Sequence, residues 1–188
     1  PAHYTTRYEY TDGDQLHKVI DPLGRTVTQT YDQVGRLKTV LDPKGRATTY
    51  SYDHAGHVTR VQGPDSTTEP TAFDYDANGN LIQQTDTAGR AVAYEYDAMN
   101  SIAKATTPLG VYTYAHDRAG NLIKITNPTA KTTSMSYDAA NRLLKIDYPA
   151  DGGADVTYRY DANGNRTKMI DGAGTVTYAF DKLDRPTT

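Results

Sequence analysis

The stretch Tyr31-Asp32-Gln33-Val34-Gly35-Arg36-Leu37 decides the reading of this chain, because it returns as Tyr75-Asp76-Ala77-Asn78-Gly79-Asn80-Leu81 and in weaker form throughout. With the aromatic as anchor, the same frame begins at Tyr10, Tyr31, Tyr52, Tyr75, Tyr96, His116, Tyr137, Tyr160 and Phe180, at intervals of 21, 21, 23, 21, 20, 21, 23 and 20 residues. A period this regular is the signature of a repeat architecture, and it overrides length as a guide to domain number. The 188 residues therefore read as a single array over 1–188, not two domains. The last frame opens at Phe180-Asp181-Lys182-Leu183-Asp184-Arg185 without closing, and Tyr8 and Tyr10 already stand in frame. Both ends are expected to be cut from a longer polypeptide.

Each anchor is preceded by residues of alternating character, such as Val92-Ala93-Tyr94-Glu95-Tyr96 and Val156-Thr157-Tyr158-Arg159-Tyr160, which is the period of a strand. Counting from the anchor, positions 0, −2 and −4 hold 14 of the 16 tyrosines, while −1 and −3 hold residues such as Thr28, Thr49, Glu95, Ser136 and Thr157. One face is aromatic and the other small and polar. After the anchor, Asp can bond its own backbone, and Gly35, Gly56, Gly79, Gly120 and Gly164 supply a positive φ four residues on. Asn100 and Asn141 replace glycine there, in keeping with a left-handed position.

A second strand follows, as in Leu37-Lys38-Thr39-Val40-Leu41. Its apolar positions, +6 and +9, are three apart, which breaks alternation and predicts a bulge or strong local twist. Position +8 carries Lys18, Arg60, Lys104, Lys124, Lys145 and Lys168, read as a solvated edge that discourages wrong pairing. A second turn, Asp21-Pro22-Leu23-Gly24 or Asp42-Pro43-Lys44-Gly45, has the residue order of a type I turn. The length variation falls here, in 62–70 and 148–154 and just after Gly110 and Gly174.

Each repeat is thus two strands and two turns, and a lone hairpin is marginal in water, so repeats must stack. The expected fold is all-β: about 18 antiparallel strands in β-hairpin repeats that form a curled or spiral sheet. Two open sheet edges predict a tendency towards edge-to-edge self-association.

Tyr-Asp-x-x-Gly-Arg-Leu followed by Asp-Pro-x-Gly-Arg resembles the YD repeat of the RHS (rearrangement hotspot) family, over Tyr8 to Arg185. The resemblance implies β-hairpins coiled into a hollow shell. In bacterial polymorphic toxins and insecticidal toxin complexes that shell encloses a C-terminal toxin, and in animal teneurins a similar barrel belongs to an adhesion protein. It further implies a parent protein that is secreted or at the cell surface, with further repeats and an enclosed toxin segment as partners.

The leading reading is a structural, non-enzymatic segment of such a wall. The alternative is a glycan- or receptor-binding surface built on the tyrosines, and a third is an autoproteolytic segment, because toxin members of the family end in an Asp-Pro-x-Gly cleavage motif. Asp76 to Asn80 and Asp161 to Asn165 resemble the opening of a calcium loop, but glycine stands at place 4, and Thr87 or Gly172 occupies place 12. Hairpin turns explain these better. His54 and His57 are two ligands without a third, and with no cysteine in the chain no thiolate metal site exists. No catalytic, cofactor-binding or metal-binding residue set is assigned, and no cofactor. The net charge of −3 lacks the basic face of a nucleic-acid binder, and no apolar run is long enough to insert in a membrane as a helix. Purified chain held at neutral pH is expected to stay intact by mass spectrometry. Cleavage beside Gly24 or Gly45 that Asp21→Asn or Asp42→Asn abolishes would contradict the turn reading.

Overall fold

The structure is a computed structural model describing residues 5–65 and 67–187, and it divides between Ala93 and Tyr94 into two compact units. No helix occurs among the described residues. In the first unit the strands are β1 (Arg7–Tyr10), β2 (Leu16–Ile20), β3 (Thr26–Tyr31), β4 (Leu37–Leu41), β5 (Ala47–Tyr52), β6 (Val58–Gln62), β7 (Thr71–Tyr75) and β8 (Leu81–Thr85), followed by the first half of β9 (Ala91–Tyr96). Each pairs antiparallel with its neighbours in chain order.

The second unit continues with β10 (Ile102–Thr107), β11 (Gly110–His116), β12 (Leu122–Thr126), β13 (Thr132–Tyr137), β14 (Leu143–Asp147), β15 (Val156–Tyr160), β16 (Arg166–Asp171) and β17 (Gly174–Thr177). The same consecutive antiparallel order holds there. Within each unit the paired strands form one antiparallel sheet, and β18 (Ala179–Phe180) pairs with β19 (Pro186–Thr187) in a separate two-stranded one. The all-β hairpin repeat expected from the periodicity is what forms.

Pairing register explains the awkward +6 and +9 spacing. Tyr31 faces Leu37, but Thr30 faces Thr39, so Lys38 is an extra residue on β4. The same shift recurs at Tyr10, Tyr52, Tyr75, His116, Tyr137 and Tyr160. With one residue bulged out, +6 aligns with the anchor and +9 with −2, so both apolar positions join the aromatic face. Tyr50 meets Val61, Met135 meets Ile146 and Tyr158 meets Met169 on this row.

Position +8 correspondingly aligns with −1 and with −3 of the next repeat, as Lys18 does with Glu9 and Thr28. The basic row therefore does not lie at a sheet edge. It runs down the middle of the polar face on strands paired on both sides, because the bulge turns it away from the tyrosines. Three members pair with acids, Lys18 with Glu9 at 3.6 Å, Lys104 with Glu95 at 2.7 Å, and Lys145 with Asp147 and Asp155 at 3.0 and 2.8 Å.

The two turns of a repeat prove to be one design. In the first, Asp32 N–H donates to the Arg36 carbonyl at 2.8 Å and Gly35 N–H to the Asp32 carbonyl at 3.0 Å. In the second, Asp21 and Arg25 and then Gly24 and Asp21 make the same bonds at 3.0 and 2.9 Å. Gly35 and Gly24 have φ of 85° and 77°, the left-handed residue such a hairpin requires. Where the second turn shrinks to two residues, Thr107 pairs directly with Gly110 and Asp171 with Gly174, which accounts for the 20-residue intervals.

Side-chain burial is shallow. Among the described residues only Ala105 is buried, at 5% exposure, and most of the aromatic face is half-buried against its lateral neighbours. Ala130 occupies the glycine place of its turn with φ of 61°. An L-residue is strained there, so Ala130→Gly is expected to stabilise the chain by about 1 kcal/mol, read from the urea midpoint. A midpoint that falls would mean that the turn is not held left-handed.

Candidate functional site: the seam between repeats

Consecutive repeats meet along a seam at the first-turn end, where the ladder between them stops short. β4 pairs with β5 from Leu41 and Ala47 back to Thr39 and Thr49, leaving Leu37 and Tyr52 beyond the last pair. The Tyr52 hydroxyl closes the gap by donating to the Leu37 carbonyl at 2.7 Å. Tyr31 reaches Leu16, Tyr75 reaches Val58, Tyr137 reaches Leu122 and Tyr160 reaches Leu143 in the same way, at 2.7 to 3.0 Å. The anchor tyrosine is thus a side chain that substitutes for a missing rung.

The second half of the seam is position +5, which sequence reasoning did not single out. The Arg36 Nε donates to Asp32 Oδ2 at 2.7 Å, its Nη1 donates to the Asp53 carbonyl of the next repeat at 3.0 Å, and its guanidinium lies 4.5 Å over the Tyr52 ring. Arg142 repeats all three contacts with Asp138, Asp161 and Tyr160. Other side chains manage part of this. Gln15 donates to the Gly35 carbonyl at 2.8 Å, and Asn121 donates both to its own Asp117 and to Asn141.

His57 stacks on Tyr75 with ring centroids 4.7 Å apart and contacts Asp53 Oδ2 through Nδ1 at 2.9 Å. A Cβ on Gly79 would come within 3.1 Å of its Nε2, so that glycine serves the seam as well as the turn. The only signal for these roles in the sequence was the recurrence of Arg, Asn, Gln and His one place after the glycine.

The aspartates are occupied locally. Asp32 Oδ1 accepts from the backbone of Val34 and Arg36 at 3.0 and 2.9 Å, and Asp21 and Asp42 accept the equivalent pairs. The Arg36 backbone N–H above all, with its guanidinium, holds the Asp32 carboxyl below the ordinary aspartate range. The Arg25 and Arg46 backbone N–H groups do the same for Asp21 and Asp42, and the side-chain amide of Asn80 for Asp76. Both Asp-Pro-x-Gly motifs are hairpin turns whose carboxylates already bind their own backbone and the Nε of Arg25 or Arg46. Asp76 and Asp161 bind the backbone and side chains of Asn80 and Asn165. His57 is engaged by Asp53 and Tyr75, and among the described residues no group of three metal-ligating side chains converges.

One seam is built differently. Ser101 stands at +5 where arginine or an amide is usual, and His116 replaces the anchor tyrosine. The His116 Nδ1 lies 3.5 Å from Asp97 Oδ2, too far for a formed hydrogen bond, and has no other partner although it is buried.

Two outcomes follow from this chemistry. Tyr52→Phe removes the hydroxyl and leaves the Leu37 carbonyl without its donor, costing about 1 kcal/mol by urea unfolding, whereas Tyr148→Phe, outside the frame, leaves stability within about 0.5 kcal/mol. Because the turn aspartates have lowered folded pKa values, their contribution is complete above the unfolded value near 4 and is lost as pH falls through the folded one. Unfolding midpoints that stay flat from pH 6 to pH 2.5 would contradict it.

The model of the RHS Repeat family matches residues 10–47, 31–68, 75–112, 116–154, 137–176 and 160–188. No curated protein matches the chain by sequence. Among solved structures, the crystal structure of TcdB2-TccC3-TEV is similar over 96% of this chain and 12% of its own, with 18% identity and a TM-score of 0.62. A Photorhabdus luminescens Tc holotoxin pore with a mutated TccC3 is similar over 97% of this chain and 15% of its own, with 16% identity and a TM-score of 0.52. The chain spans only that small part of either structure, and the likeness is one of fold. The family matches begin on the repeat anchors Tyr10, Tyr31, Tyr75, His116, Tyr137 and Tyr160, and together they show that the chain belongs to the RHS repeat family.

Proposed function

We propose that this chain is a stretch of the wall of an RHS β-shell, and that in its parent protein the completed shell encloses a C-terminal toxin segment. The observation that carries this reading is the seam. The hydroxyls of Tyr31, Tyr52, Tyr75, Tyr137 and Tyr160, and the guanidinium groups of Arg36 and Arg142, tie one hairpin to the next with the same geometry in both units. In this reading the two units are successive lengths of one array, and secretion or surface display belongs to the parent. The fold shared with Tc toxin structures at a TM-score of 0.62 supports it.

The competing surface for glycans or receptors would draw on tyrosines free to stack. Of the aromatic-face tyrosines, Tyr8 and Tyr10 are exposed at 55% and 60%, while the others are half-buried and several spend their hydroxyls on backbone carbonyls. Packing accounts for the row better than ligand binding does. The parent protein tests the proposal by limited proteolysis. A C-terminal segment behind an intact wall resists protease, and Tyr52→Ala with Tyr137→Ala makes it cleavable at lower protease concentration. A segment cut equally fast in both forms would rule out enclosure.

A further inference from the structure

The bulge sets position −1 of a hairpin directly opposite +8 on the polar face, and the two residues are matched in charge. Glu9 faces Lys18 and Glu95 makes an ion pair with Lys104, while Ser51 faces Arg60, Ala115 faces Lys124 and Ser136 faces Lys145. The mate of each cation is acidic or neutral until the hairpin of β15 and β16, where Arg159 stands opposite Lys168. Like charges at directly opposed places destabilise a strand pair, since their Cβ atoms lie only about 5 Å apart. Among the described residues no carboxylate pairs with either head group, whereas Lys145, on the strand before, is held by Asp147 and Asp155 at 3.0 and 2.8 Å.

The backbone under this pair is fixed. Thr167, the bulged residue, donates its hydroxyl to the Arg159 carbonyl at 3.3 Å, and Lys168 lies between Arg159 and Thr177 across three neighbouring strands. Arg159 and Thr177 are exposed and Lys168 is half-buried. A guanidinium fork, an ammonium and a hydroxyl thus stand side by side on the polar face. One carboxylate there would leave a net positive charge, whereas a phosphate monoester brings nearly two negative charges and three strong acceptor oxygens to one centre. β16 is laddered on both sides, so it offers no main-chain edge to a peptide. The carboxylates around Lys145 confine the positive patch to this pair, which is too small for a polyanion or an anionic bilayer. We propose that Arg159, Lys168 and Thr177 form a binding site for the phosphate group of a small soluble phosphomonoester. The site lies within one unit and does not depend on enclosure by the parent.

The experiment follows the thermal midpoint and the amide NMR shifts of the chain as glycerol 3-phosphate is added at pH 7.5, beside succinate, a phosphoserine tripeptide and sodium chloride at matched ionic strength. A saturable rise of the midpoint with glycerol 3-phosphate, absent with succinate and chloride, and shifts centred on Arg159, Lys168 and Thr177 support the site. Lys168→Thr supplies the residue that Thr39 provides at the equivalent place, and Arg159→Ser the one that Ser51 and Ser136 provide. Either variant is therefore expected to fold with a midpoint equal to or above the parent's, while affinity for glycerol 3-phosphate falls about tenfold or more. Absence of saturation, an equal effect of succinate or chloride, shifts centred elsewhere, binding unchanged in a folded variant, or a tripeptide bound more than about tenfold tighter than glycerol 3-phosphate would each overturn the proposal.

Discussion

One hydrogen bond organises the rest of the structure: the anchor hydroxyl given to the +6 carbonyl of the preceding hairpin, as Tyr52 gives to Leu37. It exists because the bulge at +7 both brings +6 onto the aromatic face and ends the ladder before the turn. A flat, unbulged hairpin would present Leu37 and Val40 to opposite faces and would have no open carbonyl for the tyrosine to meet. The bulge, the tyrosine and the +6 leucine therefore form one device, and each has a purpose only when the next repeat is present. This is the physical content of mutual support in a repeat protein, where the interface between units does what a core does in a globular domain.

The seam tolerates chemical variety because most of the acceptors that cross it are backbone carbonyls. Arg36 and Gln15 differ in charge and reach, yet each donates to a main-chain oxygen of the following turn, Asp53 or Gly35. The histidine seam reverses the direction of dependence. Ser101 cannot span to the next repeat as arginine does, and His116 turns back toward Asp97 instead. At this seam the anchor hydroxyl is replaced by a ring nitrogen that lies 3.5 Å from Asp97 Oδ2 without a formed hydrogen bond.

Much of this was legible in the sequence, for reasons that particular residues show. The spacing of Tyr10, Tyr31 and Tyr52 marks the repeat, the position of Gly35 marks the left-handed turn residue, and the alternation of Val156, Tyr158 and Tyr160 marks a strand. What escaped was everything that depends on register. Lys18 and Lys168 look like edge residues until the bulge sets them in the middle of the polar face. The two turns look distinct because proline stands second in only some of them, although Asp21 and Asp32 make the same bonds. Arg36 looks like turn chemistry alone, since its own aspartate lies four residues away and its second partner lies in another repeat.

Exposure along the anchor row gauges what a neighbour contributes. Tyr10, in the first described strand, is exposed at 60%, while Tyr52 and Tyr160 are half-buried beneath Arg36 and Arg142. The three tyrosines have the same local sequence frame, the same strand and the same turn; what separates them is the preceding hairpin. Burial in this fold is therefore a property of pairs of repeats, and its stability is a sum over seams, since among the described residues only Ala105 is buried. In a repeat array of this kind a change at one seam acts on the two hairpins it joins, which lets residues such as Ser101, His116 and Arg166 depart from the pattern without loss of the fold.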